Sequence, residues 1–513
     1  MGRKLCDPCV YFRSKKSRRK KLRMKTRKRR ILRILLLVGI LIVFISIVKQ
    51  IENIKKDSYI KLIINNQEIL VDINNKQEIF DLETLNSEYD TIVKIELKNA
   101  QIRINQQTIQ QTKEISLGKV DIQEENKIIL ETKLLGESNW KKYTINTLPS
   151  QFPSYEFEGE SQEEGDYYIT TYELQANKSQ HYIYKLNQVG KVVFYKATPK
   201  VCYNFKKNCV DNEIRYTYLE SFGYLSEGFT LSLPTKLVVL DQQYNKINEI
   251  YYFNQEEDKG RTDEDRKLDN HDYLYLADNH YILAGFEKKT VFNFPNHKKE
   301  PFDVWNCKIQ EVIDGKIVWE FESIKNENIY HYCNEKNTKV MTLEPTLDYM
   351  HFNSMAIDEK DGNLICSFRN IDAIMKIDRK TGNVIWVLGG VGDEFSLKNE
   401  QQFSNQHSLS FLSNHAILIY DNGCSNKKTR ILKIQLDEKN KKIQDFKHYD
   451  LESFSIRMGS VQTVNEQKNT YLITYGVGKR KYGFQEINLE TLEPIASFKL
   501  KESNSLYCVN KYK

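Results

Sequence analysis

Three histidines and one arginine begin similar segments in the second half of the chain. His271 begins HDYLYLADNHYILAG, His351 begins HFNSMAIDEKDGNLICS, and His407 begins HSLSFLSNHAILIYD. Arg457 begins the next segment of this kind, RMGSVQTVNEQKNTYLITYG. A lone histidine at a strand end usually has a structural hydrogen-bonding role. Equivalent positions in successive repeats instead meet around one axis, so we expect these histidines to share one site.

Imidazole groups beside a guanidinium combine a nucleophile with an anion-binding set. Arg369 ends the strand that His351 begins, and Asn353 lies two residues after this histidine. A neutral imidazole is a nucleophile near pH 7, and a guanidinium binds the oxygens of an anionic tetrahedral group. A zinc site with three histidines is the competing interpretation. Against zinc, Arg369 would repel a dication, and no Asp or Glu occupies an equivalent repeat position.

The segments that must position these residues form an internal repeat of β-hairpins, spaced by roughly 50–70 residues as propeller blades are. The hairpins cover 182–196, 236–253, 307–321, 373–388, 431–446 and 484–498. A further apolar strand precedes most of them, at 166–173, 280–286, 362–368, 415–421 and 470–476. Four strands in each of six repeats predict a six-bladed β-propeller over residues 155–513. A large irregular sandwich is the alternative.

Residues 55–146 carry a different pattern. Apolar and polar residues alternate along YIKLIINNQEILVDI, TIVKIELKNAQIRI and KIILETKLL, which is the period of half-buried strands. Two of the nine prolines lie in the following segment, 146–153, and mark a domain boundary. We therefore predict an all-β chain in which a small antiparallel β-sandwich domain precedes the propeller.

The N-terminus differs from the rest in charge. Residues 1–30 hold 15 Lys or Arg and one acid, although the whole chain carries only +7. An uncharged apolar run, 34–48, follows, and its extension back to Ile31 reaches about 27 Å, enough to cross a hydrocarbon core. We predict a basic cytoplasmic tail at 1–30, a transmembrane signal anchor at 31–49 and an extracytoplasmic remainder. A nucleic-acid-binding or nuclear-targeting arm is the alternative for the basic run.

Cysteine usage fits an oxidising exterior only loosely. Seven cysteines follow the basic tail, and Cys202–Cys209 is the most local candidate for a disulfide. Cys366 lies in an apolar strand pattern, which predicts a buried thiol. The single CxxC of Cys6 and Cys9 supplies two ligands, too few for a four-ligand zinc site.

Three longer segments resemble the bacterial arylsulfate sulfotransferase family. They are 346–378, 403–423 and 147–172. The most specific features are a His-x-Asn-Ser step at His351, an arginine 18 residues later, and a Gln-His at His407 that precedes an Asp-Asn-Gly turn. The resemblance spans roughly residues 55–513, and it implies a six-bladed propeller behind an N-terminal β domain.

The resemblance implies sulfate transfer from an aryl sulfate to a phenol, independent of 3′-phosphoadenylyl sulfate, in a ping-pong mechanism through a sulfated histidine. It gives His407 the place of the nucleophile. His351, Asn353 and Arg369 take the places that hold the sulfuryl oxygens, and His271 that of another active-site histidine. No metal or organic cofactor is implied, and no Walker or GxGxxG loop indicates a nucleotide.

Two positions depart from the family pattern. Asn270 precedes His271 where the family often has a second histidine, and Tyr349 stands where the family has Trp. The leading hypothesis is a membrane-anchored sulfotransferase whose partners are an aryl sulfate donor, a phenolic acceptor and the membrane, without nucleic acid. One alternative is a non-enzymatic propeller that binds a ligand or protein. Another is a propeller hydrolase or lyase with a metal in its channel.

Overall fold

The computed structural model describes residues 9–71, 79–123, 127–172, 180–221, 235–252, 266–295, 300–333, 346–501 and 505–513. The chain is mostly β, with 55% strand and 11% helix. It divides into two compact units. The first unit comprises Met1–Phe80, Ile92–Leu117 and Lys127–Ile145, and the second unit comprises Asp81–Thr91, Gly118–Asn126 and Asn146–Lys513.

The N-terminal helix α1 spans Cys9–Lys56 and extends beyond the predicted 31–49 at both ends. Lys and Arg are good helix formers, so the basic residues around the apolar run continue the helix. Within the described chain, its part Arg23–Lys56 is the helix long and apolar enough to cross a membrane, and its side chains are exposed. A helix that is apolar on all sides suits a lipid environment, as a membrane anchor or a signal sequence.

Ten strands come from the first part of the chain. They are β1 (Tyr59–Ile64), β2 (Gln67–Val71), β3 (Ile79–Asp81), β4 (Thr84–Asn86), β5 (Asp90–Lys98), β6 (Ala100–Ile104), β7 (Gln107–Ile109), β8 (Lys113–Lys119), β9 (Lys127–Leu134) and β10 (Lys141–Asn146). They form two sheets, ordered β2-β1-β5-β8 and β3-β10-β9-β6-β7, while β4 joins a sheet of the second unit. Alternate residues are buried along β1, β5, β6 and β9, as the period-two pattern predicts.

The second unit contains the remaining strands. They are β11 (Tyr155–Gly159), β12 (Asp166–Tyr172), β13 (His181–Leu186), β14 (Val192–Thr198), β15 (Cys202–Val210), β16 (Glu213–Ser221), β17 (Thr235–Leu240), β18 (Lys246–Ile250), β19 (Arg266–Ala277), β20 (His280–Val291), β21 (Phe302–Ile313), β22 (Lys316–Glu322), β23 (Phe352–Ile357), β24 (Leu364–Phe368), β25 (Ala373–Ile377), β26 (Val384–Leu388), β27 (Leu409–Phe411), β28 (Ile417–Asp421), β29 (Arg430–Asp437), β30 (Lys442–Asp450), β31 (Phe454–Arg457), β32 (Ser460–Asn465), β33 (Thr470–Thr474), β34 (Val477–Lys479), β35 (Phe484–Asn488), β36 (Pro494–Leu500) and β37 (Ser505–Tyr512). Short 3₁₀ turns lie at Ser323–Lys325, Glu327–Tyr332, Arg369–Ile371 and Asn399–Gln401.

The six predicted hairpins are confirmed as antiparallel strand pairs. They are β13/β14, β17/β18, β21/β22, β25/β26, β29/β30 and β35/β36. Glu173 and Phe253, at the ends of two predicted segments, lie outside the described residues. An additional strand precedes each hairpin in the sheet, and β37 at the C-terminus pairs antiparallel with β12, from Asp166↔Tyr512 to Tyr172↔Ser505.

The predicted Cys202–Cys209 disulfide is wrong, because both residues are free thiols. They lie seven residues apart along the single strand β15, which at about 3.3 Å per residue separates them by roughly 20 Å. A disulfide requires Cα atoms within about 7 Å. The predicted burial of Cys366 is confirmed, since it lies fully buried in β24.

Candidate functional site

The three repeat-equivalent histidines meet in the interior of the second unit. The ring of His271 lies 4.9 Å from that of His351 and 5.5 Å from that of His407, centroid to centroid. The Tyr507 ring lies 6.0 Å from His271 and 5.8 Å from His407. All four side chains are buried. Residues up to 236 positions apart in sequence therefore form one compact aromatic and imidazole cluster.

His271 and His351 both lie where the regular strand pairing is interrupted. In β19 the pairing with β20 shifts between Leu268 and Tyr273, so His271 lies in the bulge. His351 precedes β23 with a φ of +54°, a backbone conformation that residues other than Gly adopt rarely. Its backbone is held at this point because the Arg369 N–H donates to the His351 carbonyl at 2.8 Å.

His407 is held as a neutral imidazole with one defined tautomer. Its Nδ1 lies 2.9 Å from the carbonyl oxygen of Gly459, and a carbonyl only accepts, so Nδ1 carries the proton. Burial, together with the neighbouring His271 and His351, holds the pKa of His407 well below its usual value. Its Nε2 is buried and has no hydrogen-bond partner among the described residues. The nucleophilic lone pair of Nε2 is therefore available.

Gly459 is required where it accepts this hydrogen bond. Its φ is +97°, and a Cβ atom at this position would lie 2.4 Å from the Tyr420 ring. The His407 N–H in turn donates to the Tyr420 carbonyl at 3.0 Å. The missing side chain thus lets the loop after β31 approach β28, which carries Tyr420.

Arg369 and Asn353 supply the polar groups beside the histidines. The Arg369 guanidinium is buried, and its Nη1 donates to Asn370 Oδ1 at 2.8 Å. Burial lowers the pKa of Arg369, although an arginine remains charged in proteins. Asn353 Nδ2 donates to the Gln406 carbonyl at 2.7 Å, next to His407. Within the described chain, Arg369 Nε and Asn353 Oδ1 are buried without a partner, so a donor and an acceptor remain unused.

Two carboxylates lie behind the other histidines. Asp348 Oδ2 lies 2.5 Å from His351 Nδ1, and Asp269 Oδ1 lies 3.0 Å from His271 Nδ1. Burial lowers the pKa of His351, and Asp348 opposes this shift. His271 and His351 therefore have an anionic partner at Nδ1, whereas His407 has a neutral one.

The geometry does not favour a three-histidine zinc site. Within the described ranges, the one set of three or more His, Cys, Asp or Glu ligand atoms lying within 4.8 Å of one another comes from Asp358, Asp361 and Glu438. These carboxylates already surround Lys376 Nζ, at 2.7, 2.8 and 2.8 Å. The histidine nitrogens are too far apart to share one tetrahedral zinc, whose bonds to nitrogen are about 2.0–2.1 Å long.

The structure brings together the five predicted site residues, His271, His351, Asn353, Arg369 and His407. Arg457, which begins the fourth similar segment, ends β31 two residues before Gly459. Sequence analysis missed Asp269, Asp348 and Tyr507. The two aspartates stand two and three residues before their histidines, a spacing that could have indicated the pairing. Nothing in the local sequence around Tyr507 indicates that the last strand reaches the site.

Comparison with known proteins agrees with this geometry at the level of the family. The arylsulfotransferase (ASST) profile matches residues 175–507. No curated protein matches the chain.

Solved structures show only remote similarity. A dihydro-heme d1 dehydrogenase, NirN, is 10% identical, with 71% of this chain and 77% of that chain covered at a TM-score of 0.33. A DUF4623 family protein from Bacteroides eggerthii is 8% identical, with 86% and 98% covered at 0.30. An auxiliary nutrient binding protein from Bacteroides ovatus is 8% identical, with 83% and 99% covered at 0.26. Because the family match spans more than half of the sequence, the chain belongs to the arylsulfotransferase family.

Proposed function

We propose that the protein transfers a sulfuryl group from an aryl sulfate to a phenol by a ping-pong mechanism through a sulfohistidine at His407. The observation that carries this proposal is the unpaired Nε2 of a neutral, buried imidazole close to the buried Arg369 guanidinium. Family membership supports sulfotransferase chemistry in general, and this pair of groups supports the particular route.

In the first half-reaction the Nε2 lone pair of His407 attacks sulfur. The N–S bond forms as the bond from sulfur to the aryl oxygen breaks, and the phenolate leaves with the electron pair. Phenols have a pKa near 10, so a phenolate is a good leaving group. Arg369, His351 and Asn353 hold the three sulfuryl oxygens, because preorganised donors stabilise the charge that develops there.

In the second half-reaction the acceptor phenol attacks the sulfohistidine. Its oxygen forms the new bond to sulfur, the N–S electron pair returns to Nε2, and the phenolic proton passes to a base. A neighbouring imidazole such as that of His271 is chemically able to take this proton. Every atom is then accounted for without an added cofactor.

We propose that the second unit is a six-bladed β-propeller. Support comes from antiparallel groups of four strands: β37 with β12–β14, β23–β26, β27–β30, and β32 with β33, β35 and β36. The strands β15–β22 form one eight-stranded sheet, which divides into the sets β15–β18 and β19–β22 at the single β17–β19 pair, Thr235↔Leu268. Apolar contacts join each set to the next. Representative members are Phe194 with Phe205, Leu219 with Leu283, Ile309 with Met375, Ile374 with Leu432, Ile431 with Ile473, and Tyr167 with Phe484.

We also propose an uncleaved, single-span anchor that leaves residues 1–30 in the cytoplasm and the propeller outside. The basic run directly before the apolar helix supports this orientation. A small β-sandwich over 55–146 is the proposed domain between anchor and propeller, supported by its two sheets. Protease treatment of intact cells should remove the propeller and spare the tail. Digestion of the tail alone would reverse the orientation.

The full-length chain in detergent, incubated with p-nitrophenyl sulfate in chelator, tests the activity. We expect p-nitrophenol release that depends on an added phenol, together with sulfation of that phenol. Release without acceptor would instead indicate a hydrolase. Binding of the sulfate ester without release would indicate a non-enzymatic binding protein.

A further inference from the structure

We infer that Asp269 and Asp348 are positioning residues that hold His271 and His351 with Nδ1 protonated and Nε2 turned toward the transferring sulfuryl group, so that each Nε2 can donate to a sulfuryl oxygen once the bound anion brings a second proton to the ring. The inference rests on the proposed function, because it explains how the two rings that would surround the sulfuryl oxygens are oriented and protonated. It adds two residues that neither touch substrate nor belong to the predicted site.

Each aspartate holds its histidine by two contacts. Asp348 Oδ1 accepts from the His351 backbone N–H at 2.9 Å while Oδ2 lies 2.5 Å from Nδ1. Asp269 Oδ1 accepts from the His271 backbone N–H at 2.7 Å, and both its carboxylate oxygens lie within 3.1 Å of Nδ1. An ionised carboxylate only accepts, so Nδ1 must donate to it. Because the same carboxylate binds both the backbone N–H and Nδ1 of its histidine, it restricts rotation of the imidazole ring.

Both carboxylates are deeply buried. The exposed fraction is 0% for Asp269 and 4% for Asp348. Burying a carboxylate is costly unless donors or a cation compensate the charge. A buried aspartate bound to the Nδ1 of a histidine occurs twice in this one cluster, at spacings of two and three residues. Turn formation alone does not explain why both aspartates also bind the rings.

The third histidine shows what the carboxylates add. His407 has the same tautomer from the neutral Gly459 carbonyl, which stabilises an imidazolium less than a carboxylate does. A ring that must attack sulfur needs a free lone pair, as in His407. A ring that must hold a sulfuryl oxygen has to donate from Nε2, and with Nδ1 already protonated this ring is an imidazolium. The carboxylate at Nδ1 stabilises that charged form.

Asp348 is also tied to the guanidinium. The Asn370 side chain donates from Nδ2 to the Asp348 carbonyl at 2.7 Å and accepts from Arg369 Nη1 at 2.8 Å through Oδ1. The Asp348 backbone, the His351 ring and Arg369 thus belong to one buried hydrogen-bond network. The Asn370 side chain fixes Arg369 Nη1 relative to the Asp348 backbone, while Arg369 Nε remains without a partner in the described chain.

The kinetic test replaces each carboxylate by an isosteric amide. Asp348→Asn and Asp269→Asn should lower kcat for p-nitrophenyl sulfate by about 10²–10⁴-fold, since a neutral amide neither stabilises the imidazolium nor fixes Nδ1 as the donor. KM should change far less. The matched control is Asp358→Asn, because Asp358 is also a buried aspartate, 1% exposed. Asp358 follows β23 and His351 precedes it, so the length of the strand separates the two residues by roughly 20 Å. It should retain kcat.

The tautomers can be measured without turnover. In full-length protein labelled with ¹⁵N-histidine, the His351 and His271 signals, assigned by His351→Gln and His271→Gln, should show protonated Nδ1. The Asp→Asn variants should shift them toward protonated Nε2. Protonated Nε2 with a bare Nδ1 in the wild type would overturn the inference.

Failure of the inference and failure of the proposed function give different results. An active wild type whose Asp→Asn variants keep full kcat contradicts only the positioning role. An inactive wild type contradicts the sulfotransferase proposal, and the ¹⁵N measurement still decides whether the carboxylates set the tautomers. Unfolding midpoints of the variants close to that of Asp358→Asn would exclude a general loss of stability as the cause.

Discussion

Two buried polar clusters of the second unit contrast sharply in how completely their groups are paired. Around Lys376, which is 2% exposed, three carboxylates lie within 2.8 Å of Nζ, and Glu438 also accepts from Trp386 Nε1 at 2.9 Å. Around the histidines, Nε2 of His407, Nε of Arg369 and Oδ1 of Asn353 are buried without partners in the described chain.

The difference in pairing indicates different roles for the two clusters, one in stability and one in ligand binding. A buried polar network with every member satisfied holds neighbouring elements together, as the Lys376 cluster does for the turn after β23 and the strand β25. Buried polar groups without partners cost free energy and are retained mainly where a ligand will satisfy them. In the histidine cluster a donor and acceptors without partners lie close together, as expected of a site that binds a polar group.

The largest effect should come from His407→Ala. Removal of the proposed nucleophile should lower kcat by about 10⁴–10⁶-fold, as for nucleophiles of other covalent mechanisms. Wild-type protein incubated with donor alone should gain about 80 Da, the mass of SO₃, on the peptide that carries His407. Peptide mass spectrometry measures the gain, and initial rates measure the loss.

His448→Ala is the matched control. This histidine is exposed on β30, in the sheet whose first strand, β27, begins just after His407. It should retain both activity and labelling. If His407→Ala still exchanges sulfate between phenols, or if the mass appears on another peptide, the assignment of the nucleophile is wrong.

Arg369→Ala should have the next largest effect. Loss of one charged donor to the sulfuryl oxygens should lower kcat/KM by about 10²–10³-fold. Arg369→Lys keeps the charge but not the planar fork, so it should recover only part of the rate. Equal rates for Arg369→Lys and the wild type would show that charge alone matters, and wild-type rates for Arg369→Ala would remove Arg369 from the site.

Lys376→Met should affect stability and not turnover. Without the ammonium, Asp358 remains a buried carboxylate beside two others, and the free energy of unfolding should fall by about 3–5 kcal/mol. Denaturant unfolding gives this difference, and kcat of the folded protein should stay unchanged. Lys94→Met removes a solvent-accessible pair with Glu96 and should change the free energy of unfolding far less, because solvent screens such pairs. Similar losses for the two variants would contradict the contrast drawn between buried and exposed pairs.

The smallest effect concerns pH. Burial lowers the pKa of both His351 and His407 in the folded state, so the unfolded chain binds more protons below its ordinary histidine pKa of about 6.5. Their contribution to stability is complete above that pH and is lost on acidification, by at most about 1.4 kcal/mol per pH unit for each ring. Unfolding free energies at about pH 7.5 and pH 5.5 should show the loss.

His407→Gln should reduce this pH dependence, and Lys376→Met should leave its slope unchanged. A wild-type stability that is constant between these two pH values would show that the histidines are not held neutral.

Local patterns in the sequence predicted the strands and hairpins of the second unit. Alternation in β1 and β5 and the six hairpins follow from local periodicity, which is visible in a single chain. The helix α1 is longer than the predicted membrane span of 31–49, because the charge that ends an apolar span does not end a helix. Cys202 and Cys209 were paired on closeness in sequence, but an extended strand separates residues that are neighbours in number.

Three candidate site residues, His271, His351 and His407, could be selected from sequence because they begin equivalent segments of the repeat. Arg369 and Asn353 were selected from their positions after His351 and from the family resemblance, and the pairing of Phe352 with Phe368 brings Arg369 back beside His351. Asp269 and Asp348 were overlooked because an aspartate near a turn is common for other reasons.

The amino-acid sequence by itself determined the apolar helix, the hairpin repeat and the equivalent positions of the histidines, since each depends on residues within one local period. Only the tertiary structure decided which groups face one another. The contacts of Tyr507 with His271 and of His407 with Gly459 join positions 236 and 52 residues apart. They depend on how whole strands pack, and local propensity carries no information about such pairs. The tautomer and neutral state of His407 follow from those contacts and from burial, which exist only in the folded chain.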